Sequence, residues 1–127
     1  MPRPRETARH RAQLRAAQGY VRRRYGDPDL SLAEVASATG VSRRQLQRVF
    51  RAEGGEEFRR YLLGVRMQQA VELLSRGKNT LSVRAAARLV GYRHASGLRQ
   101  AFVRFYGYNP SEVQPPAAEY LGTTTFE

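Results

Sequence analysis

The side chains best suited to recognising a ligand lie between Ser42 and Arg51, where arginine and glutamine alternate with apolar residues. In a helix with 3.6 residues per turn, Leu46, Val49 and Phe50 share the inward face. The opposite face then carries a polar stripe of four residues: Arg44, Gln47, Arg48 and Arg51. Arginine can bind the O6 and N7 atoms of guanine with two hydrogen bonds, and glutamine can bind adenine in the same way. The pattern predicts a helix that reads base edges of double-stranded DNA, with simple solvation of a charged face as the alternative.

The charge balance of the whole chain also favours a polyanionic partner. Its 22 Lys and Arg residues oppose 11 Asp and Glu residues, which gives a formal net charge of +11 at neutral pH. Lys78 is the only lysine, and the planar guanidinium of arginine suits phosphate groups and guanine edges. A GC-rich genome also enriches arginine, so composition alone does not identify the partner.

Residues for other kinds of chemistry are scarce. The chain has no cysteine, which excludes disulfides, thiolate metal sites and cysteine catalysis. His10 and His94 are not spaced as a metal-binding pair. Glu56 and Glu57 are adjacent and would point in different directions on a helix, so they do not form a pair of facing carboxylates. No glycine-rich phosphate loop of the nucleotide-binding types is present. We therefore expect neither an enzyme nor a bound metal or cofactor.

The apolar segments are too short to suggest a membrane protein. The longest runs, such as residues 61–65, fall far below the roughly 18 residues that a membrane span needs. The arginine-rich beginning contains Glu6 and leads into no apolar segment of the secretory type. We expect no membrane partner and a cytoplasmic, nucleoid-associated location.

Helical periodicity extends over almost the whole chain, and no stretch alternates as a strand would, so the expected fold is all-α. Helices are predicted over about 11–25, 56–75 and 94–106, the last followed by a short helix that Asn109 and Pro110 begin. Residues 1–10 and 115–127 are interpreted as flexible tails around a single domain of residues 11–114.

Serine residues mark the starts of further helices. Ser31 with Glu34, and Ser42 with Gln45, form capping-box patterns in which each partner satisfies a free backbone N–H of the other. Another helix should begin at Thr80 or Ser82. Two helices joined by the tight turn at Gly40 indicate a helix-turn-helix over about residues 32–53.

The chain repeats this arrangement. Residues 32–50 align with residues 83–102 at an offset of 51 up to the glycines Gly40 and Gly91, and at an offset of 52 afterwards. A second helix-turn-helix is therefore expected over about 82–106, with one extra residue in its turn. Its outward stripe is less charged: Ser96, Arg99, Gln100 and Val103. Gly97 lies in this helix and either softens it or is merely tolerated.

The helix predicted over about 56–75 links the two helix-turn-helix units. This linker helix of about 20 residues would be roughly 30 Å long, close to the ~34 Å of one DNA turn. Such a spacer would let one molecule place two recognition helices in successive major grooves, so we expect a monomer to bind two half-sites.

The strings SLAEVASATGVSRRQLQRVF, FRRYLLGVRMQQAVELL, VRAAARLVGY and FYGYNPSEV resemble successive blocks of the AraC/XylS-type DNA-binding domain. The resemblance covers about residues 30–114 and implies a homeodomain-like fold of about seven helices. It implies structural roles for Arg66 and Ala70 in the linker helix. It also implies base contacts by Arg44, Gln47 and Arg48 in the first unit and by Ala95, Ser96, Arg99 and Gln100 in the second.

Three neighbours of these residues complete the expected DNA-binding set: Arg43, Arg51 and His94. The second unit departs from the family pattern, because Arg93 and His94 replace common serines and Gly97 replaces a common aromatic residue. His94 is interpreted as a phosphate contact or a substitute helix cap. Many members also carry a ligand-binding domain, for which 127 residues leave no room, so we expect either a free-standing form or a domain cut from a longer protein.

Three functions fit these features. The first is a sequence-specific regulator that recruits or blocks RNA polymerase at a promoter. The second is an auxiliary module, either a DNA-targeting domain of a larger repair or regulatory protein or an architectural protein of low specificity. RNA binding is the third, and it is disfavoured because the Tyr and Phe residues occupy inward periodic positions rather than exposed stacking positions.

Overall fold

The computed structural model describes residues 3–76 and 81–113, and within these ranges all regular structure is helical. The predicted all-α fold is confirmed. The predicted C-terminal tail, residues 115–127, lies outside the described residues, as do Lys78 and Thr80. The elements are α1 (Pro4–Arg24), α2 (Leu32–Thr39), α3 (Arg43–Gly54), α4 (Phe58–Leu74), α5 (Val83–Leu89), α6 (Ala95–Tyr106) and a 3-10 turn at Pro110–Glu112.

The start of α1 corrects the prediction of a flexible tail over residues 1–10, because residues 4–10 are helical. Pro4 occupies the first helical position, where its missing N–H would have no partner in any case and its fixed φ suits the helix. Glu6 strengthens this start, since its Oε1 accepts a hydrogen bond from the Arg3 N–H at 3.2 Å. A proline near the start of a chain is thus compatible with a helix as well as with a tail.

Serine side chains begin three of the helices. The Oγ atoms of Ser31, Ser42 and Ser82 each accept a hydrogen bond, at 3.1 Å, from the backbone N–H three residues later. Each bond satisfies one of the amide donors that a helix start leaves without a partner. Ser82 is therefore the cap of α5.

The capping box also predicts that the Glu34 carboxylate accepts a hydrogen bond from the Ser31 backbone N–H, and this prediction is wrong. Its carboxylate accepts a 2.6 Å hydrogen bond from the Tyr20 hydroxyl and pairs with Arg24 at 3.4 Å, so it ties α1 to α2 instead of capping its own helix. The bond to this carboxylate raises the pKa of Tyr20. A negative acceptor nearby disfavours loss of the hydroxyl proton.

The first of two compact units comprises residues up to 25 and residues 29–64. Within it α1 packs against α2 and α3, and α2 packs against α3. The predicted inward residues Leu46, Val49 and Phe50 are buried. The Phe50 ring lies 5.7 Å from the Phe58 ring, centroid to centroid, and equally far from the ring of Tyr61, so α3 is anchored by an aromatic cluster.

The second unit comprises residues 26–28 and, of the described residues, those from Val65 to Val113. Within it α5 and the 3-10 turn both pack against α6. The residues that the repeat matches to Ala36, Leu46 and Phe50 are buried, as predicted: Ala87, Leu98 and Phe102. The α4 helix begins in the first unit and ends in the second, and its 17 residues make it slightly shorter than predicted.

The turns of the two helix-turn-helix units confirm the predicted shift in the repeat. Gly40 ends α2 at a φ of 72°, and Gly91 follows α5 at a φ of 101°, a region that favours glycine. The N-cap of α3, Ser42, comes two residues after the first glycine, and that of α6, His94, comes three residues after the second. The second turn therefore holds the one extra residue.

The hydroxyl of Tyr61 provides a test of the packing in the first unit. This oxygen is buried and has no hydrogen-bond partner among the described residues, an arrangement that costs roughly 1–3 kcal/mol. We expect Tyr61→Phe to raise the free energy of unfolding by about 1 kcal/mol, measured by urea titration. Tyr108→Phe, at an exposed ring, is the matched control and should change little. A loss of stability in Tyr61→Phe would show that the hydroxyl has a stabilising partner.

Candidate nucleic-acid interface

The five residues predicted for the first recognition surface all lie on α3, and all are exposed: Arg43, Arg44, Gln47, Arg48 and Arg51. Because Leu46, Val49 and Phe50 point into the core, the polar residues between them must point away from it. The structure brings the predicted set together as one surface, which we call the α3 stripe.

The α3 stripe continues into a shallow concavity at the start of α2. Arg43, Arg44 and Gln47 line it on one side, and Ser31, Leu32 and Ala33 line it on the other. The guanidinium groups and the amide-rich start of a helix both favour negative charge. The start of α2 is therefore part of the surface, in addition to the predicted residues, and the capping serine Ser31 is its signal in the sequence.

Two members of the α3 stripe have side-chain partners. Arg51 Nη2 lies 3.1 Å from Glu57 Oε2, and both side chains are largely exposed. This ion pair therefore contributes little stability, and another anion can replace Glu57 as the partner of Arg51. Arg48 Nη2 donates a 2.9 Å hydrogen bond to Gln45 Oε1. Arg48 is thus held by a neighbour on its own helix.

The second predicted surface lies at the beginning of α6. Ser96, Arg99 and Gln100 are exposed, and Ala95 is half-buried. His94 is exposed at the N-cap position, but its side chain makes no capping hydrogen bond, so the interpretation of His94 as a substitute cap is wrong. Its backbone carbonyl instead accepts from the Gly97 N–H at 3.1 Å.

Gly97 has a packing role that the sequence did not reveal. A Cβ atom at this position would lie 3.2 Å from Cδ1 of Tyr92, closer than an ordinary van der Waals contact. The α6 helix is continuous from Ala95 to Tyr106, so the glycine does not break it. Gly97 therefore allows Tyr92, in the turn before α6, to pack tightly against the recognition helix.

Arg66 also contacts Tyr92. Its guanidinium carbon lies 5.5 Å from the centre of the Tyr92 ring, and its Nη2 donates a 2.8 Å hydrogen bond to the Asp27 carbonyl. Burial lowers the pKa of Arg66 and raises the pKa of Tyr92, because a low-dielectric surrounding disfavours both charged forms. These contacts, with the full burial of Ala70, agree with the structural roles that the resemblance implied for Arg66 and Ala70.

Two further observations apply to residues 3–76 and 81–113. The side chains there form no group of three or more His, Asp or Glu residues able to hold a metal ion. No helix in these ranges combines the length and the hydropathy needed to cross a membrane.

Two helix-turn-helix units with exposed polar recognition helices define a class of DNA-binding domain, and comparison with known proteins gives the family. A family model described as a helix-turn-helix domain matches residues 35–115. The chain belongs to the AraC-type helix-turn-helix family of DNA-binding transcription regulators.

Individual relatives agree with this assignment. The chain is 30% identical over 115 residues to the transcriptional activator RhrA of Rhizobium meliloti, covering 91% of this chain and 36% of RhrA. It is 38% identical over 84 residues to a protein of Streptomyces antibioticus named as an AraC-like transcription regulator, covering 66% of this chain and 27% of that protein. The chain thus spans about a third of the length of these relatives.

Solved structures show the same fold. The C-terminal domain of AraT, a response regulator from Geobacillus stearothermophilus, superimposes with a TM-score of 0.75 at 30% identity, over 83% of this chain and 84% of that one. The DNA-binding domain of AdpA, solved in complex with a target DNA, gives a TM-score of 0.69 at 24% identity, over 90% of this chain and 97% of that one.

The Arg66 contacts predict a stability effect in the second unit. We expect Arg66→Met to lower the free energy of unfolding by about 2 kcal/mol, because it removes a charged hydrogen bond and a ring contact while keeping an apolar stem. Arg66→Lys should recover only part of the loss, since an ammonium group lacks the planar face. Arg84→Met, at an exposed position on α5, is the control and should stay within about 0.5 kcal/mol of the wild type in urea titrations. Equal values for Arg66→Met and the control would contradict a structural role.

Proposed function

We propose that the chain is a sequence-specific, double-stranded-DNA-binding transcription regulator. The observation that carries this proposal is the α3 stripe, five arginine and glutamine side chains exposed together on the second helix of a helix-turn-helix unit. This geometry leaves the stripe free to enter a major groove, where these two residue types match the base-edge chemistry of guanine and adenine. Membership of a family of DNA-binding regulators supports the same function.

Within the α3 stripe, we assign the base contacts to Arg44, Gln47 and Arg48. Arg43 and Arg51 are assigned to the phosphate backbone on either side. Arg43 lies at the first position of α3 beside the start of α2, and Arg51 can exchange Glu57 for a phosphate at little cost. These contacts would fix the register in which the three base-reading side chains enter the groove.

The second recognition helix is assigned the other half-site. Arg99 and Gln100 carry the base-reading chemistry there, Ala95 and Ser96 make close contacts at the helix start, and His94 contacts a phosphate. One chain then reads two elements about one helical turn apart and binds as a monomer. The AdpA domain, which shares this fold, was solved with a target DNA, and this supports DNA binding by the same fold.

We infer that the DNA-bound protein regulates transcription by recruiting or blocking RNA polymerase. This would take place in the cytoplasm, at the nucleoid. Support comes from relatives named as transcriptional activators and regulators, of which this chain matches about a third. No enzymatic step is assigned to the chain.

A second function is favoured by one observation in α6. Its outward face carries Arg99 as the only arginine among the predicted contacts, and Val103, matched by the repeat to Arg51, is 42% exposed. A weakly charged second surface suits an auxiliary or architectural module with little sequence preference. The degree of sequence preference separates the two functions.

Binding selection from a random duplex library at two salt concentrations, with sequencing of the bound fraction, tests the proposal. A motif of two elements about one helical turn apart is the expected result. A single short element would restrict base reading to α3. Steep salt dependence without any enriched motif would overturn the specific regulator in favour of the auxiliary module.

The role of Arg48 gives a quantitative prediction. We expect Arg48→Ala to cost about 1–3 kcal/mol on the selected site and to relax the choice of base at one position, because a two-bond contact with a base edge is lost. Arg59→Ala, an exposed arginine outside the α3 stripe, is the control and should leave base preference unchanged. An equal loss on selected and random duplexes would make Arg48 a phosphate contact only.

Arg99 is tested in the same way. Arg99→Ala should relax one position in the second element and leave the first element intact, as measured by repeating the library selection with the variant. Arg104→Ala, on the same helix and also exposed, serves as the control. If Arg99→Ala leaves the selected motif unchanged, this arginine does not read a base.

A further inference from the structure

The Gln45 side chain takes part in a chain of hydrogen bonds that leads from α1 to the recognition surface. The capping-box pattern predicted that its amide would reach back to the Ser42 N–H. Instead, Gln45 Nε2 donates a 3.1 Å hydrogen bond to Oε1 of Gln13 on α1, and Gln45 Oε1 accepts the 2.9 Å bond from Arg48. Gln13 and Gln45 are both half-buried, whereas Arg48 is exposed.

The order of donors and acceptors explains what this chain of bonds does. A glutamine amide has one acceptor end and one donor end, and a guanidinium offers only donors. Because Gln13 Oε1 takes the donor end of Gln45, the acceptor end is left facing Arg48. Without Gln13 the amide is free to rotate, and the reversed orientation would place two sets of N–H donors against each other.

A held arginine recognises its base better than a free one. Arginine has many side-chain rotamers, and ordering them on binding costs free energy that a preformed orientation avoids. Restricting Arg48 also penalises base pairs that would require another orientation. Fixing the amide of Gln45 should therefore affect discrimination between base pairs more than binding in general.

The described residues of the second unit have no counterpart of the Gln45 side chain at the matching position. The repeat matches Gln45 to Gly97, which has no side chain, and matches Arg48 to Gln100. The space beside Gly97 is taken by the ring of Tyr92. An effect transmitted through Gln13 should be confined to the half-site that α3 reads.

We propose that Gln13, acting through Gln45, is a positioning residue that fixes the orientation of Arg48 and so sharpens base choice in the first half-site. The proposal rests on the proposed function, because it assigns Arg48 to a base edge. Gln13 itself lies on α1 and is outside every set of predicted DNA contacts. Its influence on recognition is indirect.

The test compares the 127-residue chain with Gln13→Met, which keeps the length of the side chain and removes both hydrogen-bonding groups. Competition binding on the selected duplex and on duplexes with single substitutions gives the preference at each position. We expect about a three- to tenfold lower preference at the position read by Arg48, the fold-change of one lost hydrogen bond. The second element and the salt dependence of binding should not change.

Two further variants separate positioning from stability. Gln13→Glu keeps an acceptor for Gln45 Nε2 and should restore the preference. Gln13→Met added to Arg48→Ala should cause no additional loss of preference, because the residue through which it acts is gone. Melting temperatures of all variants report stability independently of base choice.

The outcomes are distinguishable. If the wild type shows no preference on the substituted duplexes, the proposed function itself is wrong and the positioning role is wrong with it. If the wild type is selective and Gln13→Met keeps full selectivity, only the positioning role is overturned. Loss of preference spread over both elements, with a lower melting temperature, would show that Gln13 supports the fold and also overturns the positioning role.

Discussion

A recognition helix can offer one face to DNA only if its other face is firmly buried, and the first unit depends on this constraint. Leu46, Val49 and Phe50 are almost fully buried, and each such side chain contributes about 1.5–3 kcal/mol when it leaves water. Rotating α3 far enough to bury an arginine would expose these residues and place a charge in a low-dielectric core. Both changes are costly, so the orientation of the α3 stripe follows from the apolar face behind it.

The same scaffold carries two different surfaces. The alanines Ala36 and Ala87 are buried at matching positions, which lets the paired helices approach closely in each unit. The outward residues of α3 and α6 differ, and the contacts at the start of the two helices differ as well. Ser42 caps the start of α3 with its side chain, whereas His94, the N-cap of α6, makes no such bond, and the Tyr92 ring packs against Gly97 in the first turn of α6. The scaffold therefore constrains burial while leaving surface chemistry free to vary.

Features that depend on local periodicity could be read from the sequence, and features that depend on distant partners could not. The α3 stripe, the inward positions and the extra residue in the second turn follow from the spacing within each repeat. The bond between Gln13 and Gln45 joins residues 32 positions apart and leaves no periodic signal. The prediction for Glu34 is wrong for the same reason, since a capping box and a contact with Tyr20 share one sequence pattern.

The structural effect of proline and glycine depends on their position and on their neighbours. The sequence predicts a tail at Pro4, yet the first turn of a helix accepts proline without loss of a hydrogen bond. For Gly97 the sequence predicts either a softer helix or simple tolerance, yet its lack of a Cβ makes room for an aromatic ring. Neither role can be assigned until the neighbouring element is known.

The high net charge explains why positioning matters in this protein. A chain with a net charge of +11 binds any DNA through its phosphates, and that contribution is the same for every sequence. No charged side chain is buried in the described residues, so their arginines all lie at least partly at the surface and add to this general attraction. Discrimination must then come from the few side chains whose directions are fixed. A hydrogen bond that orients one arginine adds little to affinity, but it acts on the part of the binding free energy that differs between sequences.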